Sequence, residues 1–161
     1  MRAFAAPLFA SLVAVAFAST AGADELVQLD PFAQATSGHP RCATVAPPTM
    51  TREQVEREAH ARAERGTRGA MEGTCEPGGA YRRDPEINES VRAAIAADKR
   101  FEGTSIWLTT SRGWVTLQGC VRNTRQRDQL VLAVKALPRV VLVFDETRVV
   151  RVNAPPRRPA T

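Results

Sequence analysis

Apolar and polar residues alternate along two stretches that flank a short turn in the second half of the chain. Ile106 and Leu108 alternate with Trp107 and Thr109, and the same pattern resumes after residues 111–113. An alternation of period two predicts a strand with one buried face, and two such strands around a Gly-containing turn predict a β-hairpin. The glycine suits the turn because it adopts positive φ without steric cost.

Helical spacing precedes the hairpin. Asp84-Pro85-Glu86 predicts a helix start, with Asp84 as the cap, Pro85 in the first turn and Glu86 favourable to the helix dipole. The apolar residues that follow recur at helical intervals, which predicts one buried face. They are Ile87, Val91, Ala94 and Ile95.

A second helix and a third strand follow the hairpin. Asn123-Thr124 predicts the helix start and Pro138 its end. Its apolar positions are Leu130, Val131, Val134 and Leu137. The β-branched run 140–152 predicts a strand. The sequence therefore predicts an α+β domain of order αββαβ over 84–152, with two helices on one face of a three-stranded mixed sheet.

The second hairpin strand carries a spaced motif. Its members form a Gly-x-Val-x-Leu-x-Gly-x-Val pattern: Gly113, Val115, Leu117, Gly119 and Val121. Gly119 interrupts a strand of β-formers, which indicates a bulge or a close backbone approach.

This motif and the element order resemble the BON domain, a small αββαβ module of exported bacterial proteins, over about residues 84–151. One departure is Arg139-Val140, where the family commonly has Gly-Val after the second helix. The resemblance implies a non-catalytic, phospholipid-interacting envelope protein, and some family members protect the envelope under stress.

The N-terminus has the pattern of a secretory signal peptide. Arg2 precedes an apolar run at 8–17, and Ala21-Gly22-Ala23 matches a cleavage site. We expect residues 1–23 to be removed and the mature protein to be periplasmic. We expect no lipid anchor, because no cysteine directly follows the cleavage site.

An extension over 24–83 precedes the BON-like segment. Residues 24–50 are predicted to be irregular, and Thr51 with Gln54 forms a capping box that opens one helix. We expect this helix to end near Gly66 and to bury a thin apolar face at Val55, Ala59 and Ala63 or Arg62. The Pro-rich tail 153–161 is expected to be disordered.

Three cysteines, Cys42, Cys75 and Cys120, leave one thiol over if a single disulfide forms. Of the three pairings we favour Cys42–Cys75, because both residues belong to the extension and Cys120 lies in a strand. The sequence leaves open whether Cys120 is free.

Two sets of residues are candidates for binding. Basic residues beside an aromatic one, at the end of the first BON helix, are suited to an anionic phospholipid surface. They are Arg92, Lys99, Arg100 and Phe101. Trp107 and Trp114 are expected on the sheet face opposite the helices. That face is either open to an envelope protein in an assembly or covered by the extension.

Other functions have weak support. The formal charge of +5 can attract anionic lipid or merely keep the protein soluble, and nucleic acid is not expected as a partner of an exported protein. His39, Cys42, His60 and Cys75 form only a weak metal pattern. No nucleophile–base arrangement or cofactor motif is found, so we expect no metal, no cofactor and no enzymatic activity.

Overall fold

A computed structural model describes residues 25–151. The strands are β1 (Phe32–Ser37), β2 (Ser105–Ser111), β3 (Trp114–Val121) and β4 (Leu142–Val149), and the helices are α1 (Arg52–Met71), α2 (Asp84–Ala97) and α3 (Thr124–Lys135), with a 3₁₀ turn at Lys99–Phe101. The predicted signal peptide and the predicted disordered tail lie outside the described residues.

The strands form one mixed sheet in the order β1-β2-β3-β4. The β2–β3 hairpin is antiparallel, and β4 joins β3 in parallel after the α3 crossover. The predicted α+β class and the three strands of the BON-like segment are confirmed. The fourth strand, β1, was not predicted. It comes from the extension and pairs antiparallel with the outer edge of β2.

Helices α2 and α3 cover one face of the sheet, here called the core face. The fully buried side chains there come from both helices and from alternate positions of β2 and β3. They include Val91, Ile95, Phe101, Ile106, Leu108, Val115, Leu117, Val121, Leu130 and Val134. The opposite side is called the second face. It carries the intervening residues of the same strands, as period-two alternation requires.

The β2–β3 turn is held by a buried carboxylate. Arg112 and Gly113 have φ of 58° and 72°, the pattern of a type I′ turn. The Asp84 carboxylate accepts the N–H groups of Arg112 at 2.7 Å and Gly113 at 2.8 Å. The prediction that Asp84 caps its own helix was wrong: Arg83 is the N-cap residue, and Asp84 caps the hairpin turn. Burial raises the pKa of Asp84, and the two N–H bonds oppose that rise.

Gly119 marks a close backbone approach and not a bulge. The β2–β3 register is continuous through Gly119. Its φ is +112°, and a Cβ placed there would lie 2.0 Å from the carbonyl oxygen of Ser105. No side chain fits at this position without moving the neighbouring strand.

The loop after α3 keeps a left-handed residue although it lacks the usual glycine. Arg139 has φ of 65°. Its guanidinium lies 2.6 Å from the carboxylate of Glu86. Arg139 therefore stands where the family commonly has glycine, and it adopts a backbone conformation that favours glycine.

Helix α1 is longer than predicted, and only part of its predicted buried face is buried. The capping box of Thr51 and Gln54 is present, as predicted, but the helix continues through Gly66 to Met71. Ala59 and Ala63 are exposed. Val55 is half-buried, and of the predicted alternatives it is Arg62 that points inward, with its guanidinium 2.8 Å from the Asp30 carboxylate and 4.2 Å from the centroid of the Tyr81 ring. The helix is fixed by polar contacts to loops, which an apolar periodicity cannot reveal.

The disulfide joins Cys42 to Cys120, so the predicted Cys42–Cys75 pairing was wrong. Cys120 projects from β3 onto the second face, and β1 delivers the chain to that end of the sheet shortly before Cys42. Cys75 is free and lies near the end of α1, with its Sγ 3.7 Å from the carbonyl oxygen of Gly66. The extension is thus bonded covalently to the BON-like segment and not to itself.

Candidate functional site

Basic residues converge at one end of the sheet. At this end β1, β3 and β4 finish, β2 begins, and the 3₁₀ turn and the N-terminus of α3 lie beside them. We call the cationic residues carried by these segments the basic pole. They are Arg41, Lys99, Arg100, Arg122, Arg125, Arg148 and Arg151.

The net positive charge of the basic pole exceeds the net charge of the whole described chain. Its 7 cations stand against Asp98 and Glu102, which gives 7 − 2 = +5. Residues 25–151 contain 22 − 3 = 19 Lys and Arg and 17 − 1 = 16 Asp and Glu, a net of +3. The rest of the described chain therefore has a formal charge of −2. This is a polarised charge distribution, and it gives an anionic surface a preferred end to approach.

Several of these cations form no ion pair within residues 25–151. Lys99, Arg125 and Arg148 form no ion pair with a carboxylate among the residues that the structure describes. Arg100 is held by Asp98 at 2.5 Å, which raises the pKa of Arg100 and lowers that of Asp98. The first turn of α3 contains no acidic residue, so its free N–H groups add positive potential at the same end.

The extension contributes Arg41 to the pole and fixes it there. The N–H of Gly38 donates to the carbonyl oxygen of Thr104 at 2.7 Å, and the N–H of His39 donates to Ser105 Oγ at 3.0 Å. The buried His39 ring has its Nε2 2.8 Å from the carbonyl oxygen of Val150. The Cys42–Cys120 disulfide completes this attachment. Sequence reasoning missed Arg41 because the predicted Cys42–Cys75 pairing kept this residue within the extension, away from the BON-like segment.

The residues predicted to bind lipid are divided by the structure. Lys99 and Arg100 lie in the basic pole. Arg92 lies further back on α2 and pairs with Glu89 at 2.5 Å, which raises the pKa of the arginine. Phe101, the aromatic residue of the predicted lipid-binding set, is in the core with an exposure of 1%, so its ring is not accessible to a lipid surface in this fold.

The two predicted tryptophans of the second face have different environments. Trp107 is 5% exposed, so of the two predicted alternatives for this face, open or covered, the covered one holds at Trp107. It lies in β2, beside β1 and on the face to which the disulfide attaches the extension. Trp114 is half-buried, with the Arg112 guanidinium 3.9 Å from its ring centroid and the Phe144 ring edge-on at 5.8 Å. The second face is closed on the β2 side and accessible on the β4 side.

Exposed apolar side chains are concentrated in α3 and in residues 141–149, on both sides of the sheet. Among the described residues, five of the seven exposed large hydrophobic side chains belong to this region. We call them the open flank: Leu132, Val141, Leu142, Phe144 and Val149. The sequence indicated these residues only as parts of a helix and a strand, because exposure of an edge strand depends on the sheet order.

The residues of the weak metal pattern are not brought together. Cys42 is in the disulfide, His39 binds Val150, and His60 lies on α1 with its Nε2 3.3 Å from Glu64. Within residues 25–151, no group of three or more His, Cys, Asp or Glu could hold a metal ion. Over the same residues, no helix is both long enough and apolar enough to cross a membrane.

Comparison with known proteins supports the resemblance. A protein-family model described as "BON domain" matches residues 83–151. These bounds span α2 to the end of β4 and leave out β1, α1 and Cys42. No curated protein matches the chain.

Proposed function

Since residues 83–151 of this chain are a BON domain, we propose that the protein is a non-catalytic protein of the periplasm that binds anionic phospholipid headgroups through its basic pole. In this role it supports the integrity of the envelope, including under stress. The single observation that carries the proposal is the concentration of seven cations and two carboxylates at one end of the domain.

Electrostatic attraction between the basic pole and an anionic leaflet is strong enough for reversible membrane binding. A Lys or Arg side chain near an anionic leaflet contributes about 1 kcal/mol of attraction, which decays over a Debye length of about 10 Å at 0.1 M salt. Lys99, Arg125 and Arg148 form no ion pair with a described carboxylate, so no paired negative charge offsets their attraction to an anionic surface. The buried position of Phe101 leaves binding mainly electrostatic. We therefore expect binding that is reversible and strongly sensitive to salt.

The cellular location is part of the proposal. A signal peptide over residues 1–23 would export the chain, and a disulfide between Cys42 and Cys120 is favoured in an oxidising compartment. Mass spectrometry of the periplasmic form should find Asp24 at the N-terminus. Met1 at the start of exported protein would contradict cleavage after Ala23.

Cosedimentation with liposomes tests the binding surface. Wild-type protein should sediment with vesicles that contain phosphatidylglycerol at low salt and remain in solution with phosphatidylcholine vesicles. Lys99→Gln with Arg125→Gln should reduce sedimentation with the anionic vesicles. The matched control is Arg57→Gln with Arg68→Gln on α1, which removes the same charge far from the pole and should have a much smaller effect.

A third variant separates the pole from the rest of α2. Arg92→Gln removes a cation that is already paired with Glu89. It should change sedimentation less than the loss of Lys99 and Arg125. If the pole variant binds as well as wild type, or if the α1 control weakens binding equally, the basic pole is not the lipid-binding surface.

A further inference from the structure

Strand β4 leaves one edge of the sheet without a neighbour. It is the last strand in the order β1-β2-β3-β4. The edge of β2 on the other side is covered by β1, whereas no described strand lies beyond β4. Open strand edges are templates for pairing with another chain, and natural proteins usually protect them.

The hydrogen bonds of β4 show which backbone groups point outward. The N–H of Val150 donates to Val121 of β3, so the even-numbered positions of this strand face the sheet. The N–H of Thr147 donates instead to the carboxylate of Asp145, at 2.9 Å. Backbone groups of the odd-numbered positions, including Val143 and Val149, therefore face outward along the edge.

Charges on β4 are arranged so that the strand complements itself. Glu146 and Arg148 are two residues apart and project onto the same face. Arg148 has no ion pair with a described carboxylate, and Glu146 accepts one hydrogen bond, from Gln118 at 2.8 Å. An antiparallel copy of β4, related by a two-fold axis at Thr147, places each Glu146 directly opposite the other chain's Arg148. Opposite charges in facing positions of an antiparallel pair are favourable.

The same register also brings apolar side chains, and the backbone groups of the two strands, opposite each other. It places Phe144, which is 42% exposed, opposite Val150 of the second chain. The outward N–H and C=O groups of the two strands then meet each other, except for the N–H of the buried Thr147, which is bound by Asp145. The Asp145 carboxylate is paired with Arg127 at 3.5 Å, and Glu146 is unfavourable against an anionic leaflet, so the β4 edge suits a protein better than a lipid. We propose that a second copy of this chain pairs with β4 and forms a symmetric dimer with a continuous eight-stranded sheet.

Asp145 limits the strength of this dimer. Its carboxylate binds both the N–H and the Oγ of Thr147, at 2.9 and 2.6 Å, at the centre of the proposed interface. That N–H must leave Asp145 before it can bind the partner strand. The dimer should therefore be in exchange with the monomer, and its fraction should rise with protein concentration.

Analytical ultracentrifugation without lipid tests the proposal independently of membrane binding. Wild-type protein should show a dimer whose fraction increases with concentration. Arg148→Glu and Glu146→Arg each replace two attractive pairs by two repulsive ones and should weaken dimerisation at least about tenfold. Circular dichroism should show that both exposed substitutions leave the fold intact.

Charge exchange provides the decisive controls. The double variant Glu146→Arg with Arg148→Glu restores both pairs and should dimerise again. An equimolar mixture of the two single variants should form heterodimers, although neither variant pairs with itself. Asp145→Ala frees the N–H of Thr147 and should strengthen the dimer. A wild-type protein that stays monomeric at all concentrations, or a double variant that is as weak as the single ones, overturns the proposal.

Discussion

The two edges of the sheet differ in whether another described segment of the chain covers them. At the β2 edge the extension adds β1 beside the buried Trp107 and is fixed by the Cys42–Cys120 disulfide. At the β4 edge no described strand pairs with the backbone, Phe144 is 42% exposed, and Asp145 binds the N–H group of the buried Thr147. The difference shows that the extension completes the domain on one side only. Stability should therefore depend mainly on the closed edge, and interactions with other molecules on the open edge and the basic pole.

The largest expected effect is at the seam where β2 meets β3. Gly119→Val should lower the free energy of unfolding by more than about 4 kcal/mol, because a Cβ would lie 2.0 Å from the Ser105 carbonyl oxygen. Gly113→Asn should cost less, about 1 to 2 kcal/mol, since Asn tolerates positive φ and a Cβ there would lie 2.9 Å from the Arg139 carbonyl oxygen. Thermal denaturation compares the two variants, and equal stabilities would contradict this account of the hairpin.

A matched pair of aromatic truncations measures the difference between the edges directly. Trp107→Ala on the closed side should cost about 3 to 5 kcal/mol, as expected for a buried ring. Phe144→Ala on the open side should cost less than about 1 kcal/mol, because that ring is 42% exposed. Urea unfolding monitored by far-ultraviolet circular dichroism gives both values. Similar losses for the two variants would mean that the edges are equally covered.

Removal of the disulfide tests how firmly the closed edge is held. Cys42→Ser with Cys120→Ser removes a link across a sequence separation of 78 residues and should cost about 4 kcal/mol. Cys75→Ser should leave both stability and the disulfide unchanged, because Cys75 is free. Non-reducing peptide mapping must find the 42–120 linkage. A peptide that links Cys75 to either of the other cysteines would refute this connection of the extension.

The smallest effect concerns the loop that leads into the open edge. Arg139→Gly should raise stability by up to about 1 kcal/mol, because glycine adopts a φ of 65° without strain. The exposed ion pair with Glu86 that is lost contributes little. Arg139→Ala keeps the strain and loses the same ion pair, so it should be less stable than the glycine variant. The opposite ranking in thermal denaturation would show that the ion pair outweighs the backbone strain.

The BON segment could be predicted because its information is local. Alternation in β2 and β3, helical spacing in α2 and the spaced motif around Leu117 each indicate an element from neighbouring residues alone, and all were confirmed. The close approach at Gly119 was one of two predicted alternatives, since a glycine within a run of β-formers marks either a bulge or a site where another backbone comes near.

The closed edge could not be predicted because it depends on distant contacts. The sequence of β1, Phe-Ala-Gln-Ala-Thr-Ser, has little intrinsic strand character, and it becomes a strand by pairing with β2. The disulfide and the position of Arg41 follow from that pairing. The basic pole was found in part, through Lys99 and Arg100. Its other members are far apart in sequence and meet only where the strands end.

Because Cys120 lies inside the matched segment and Cys42 outside it, the stretch recognised by family comparison is shorter than the unit that should be expressed and purified. A fragment that begins at residue 83 would leave the Cys120 thiol unpaired, Trp107 in water and the β2 backbone free to pair with other chains. Such a fragment should aggregate or form disulfide-linked oligomers in air. Limited proteolysis of the oxidised protein should accordingly leave a nicked species of full mass that separates into two pieces only after reduction.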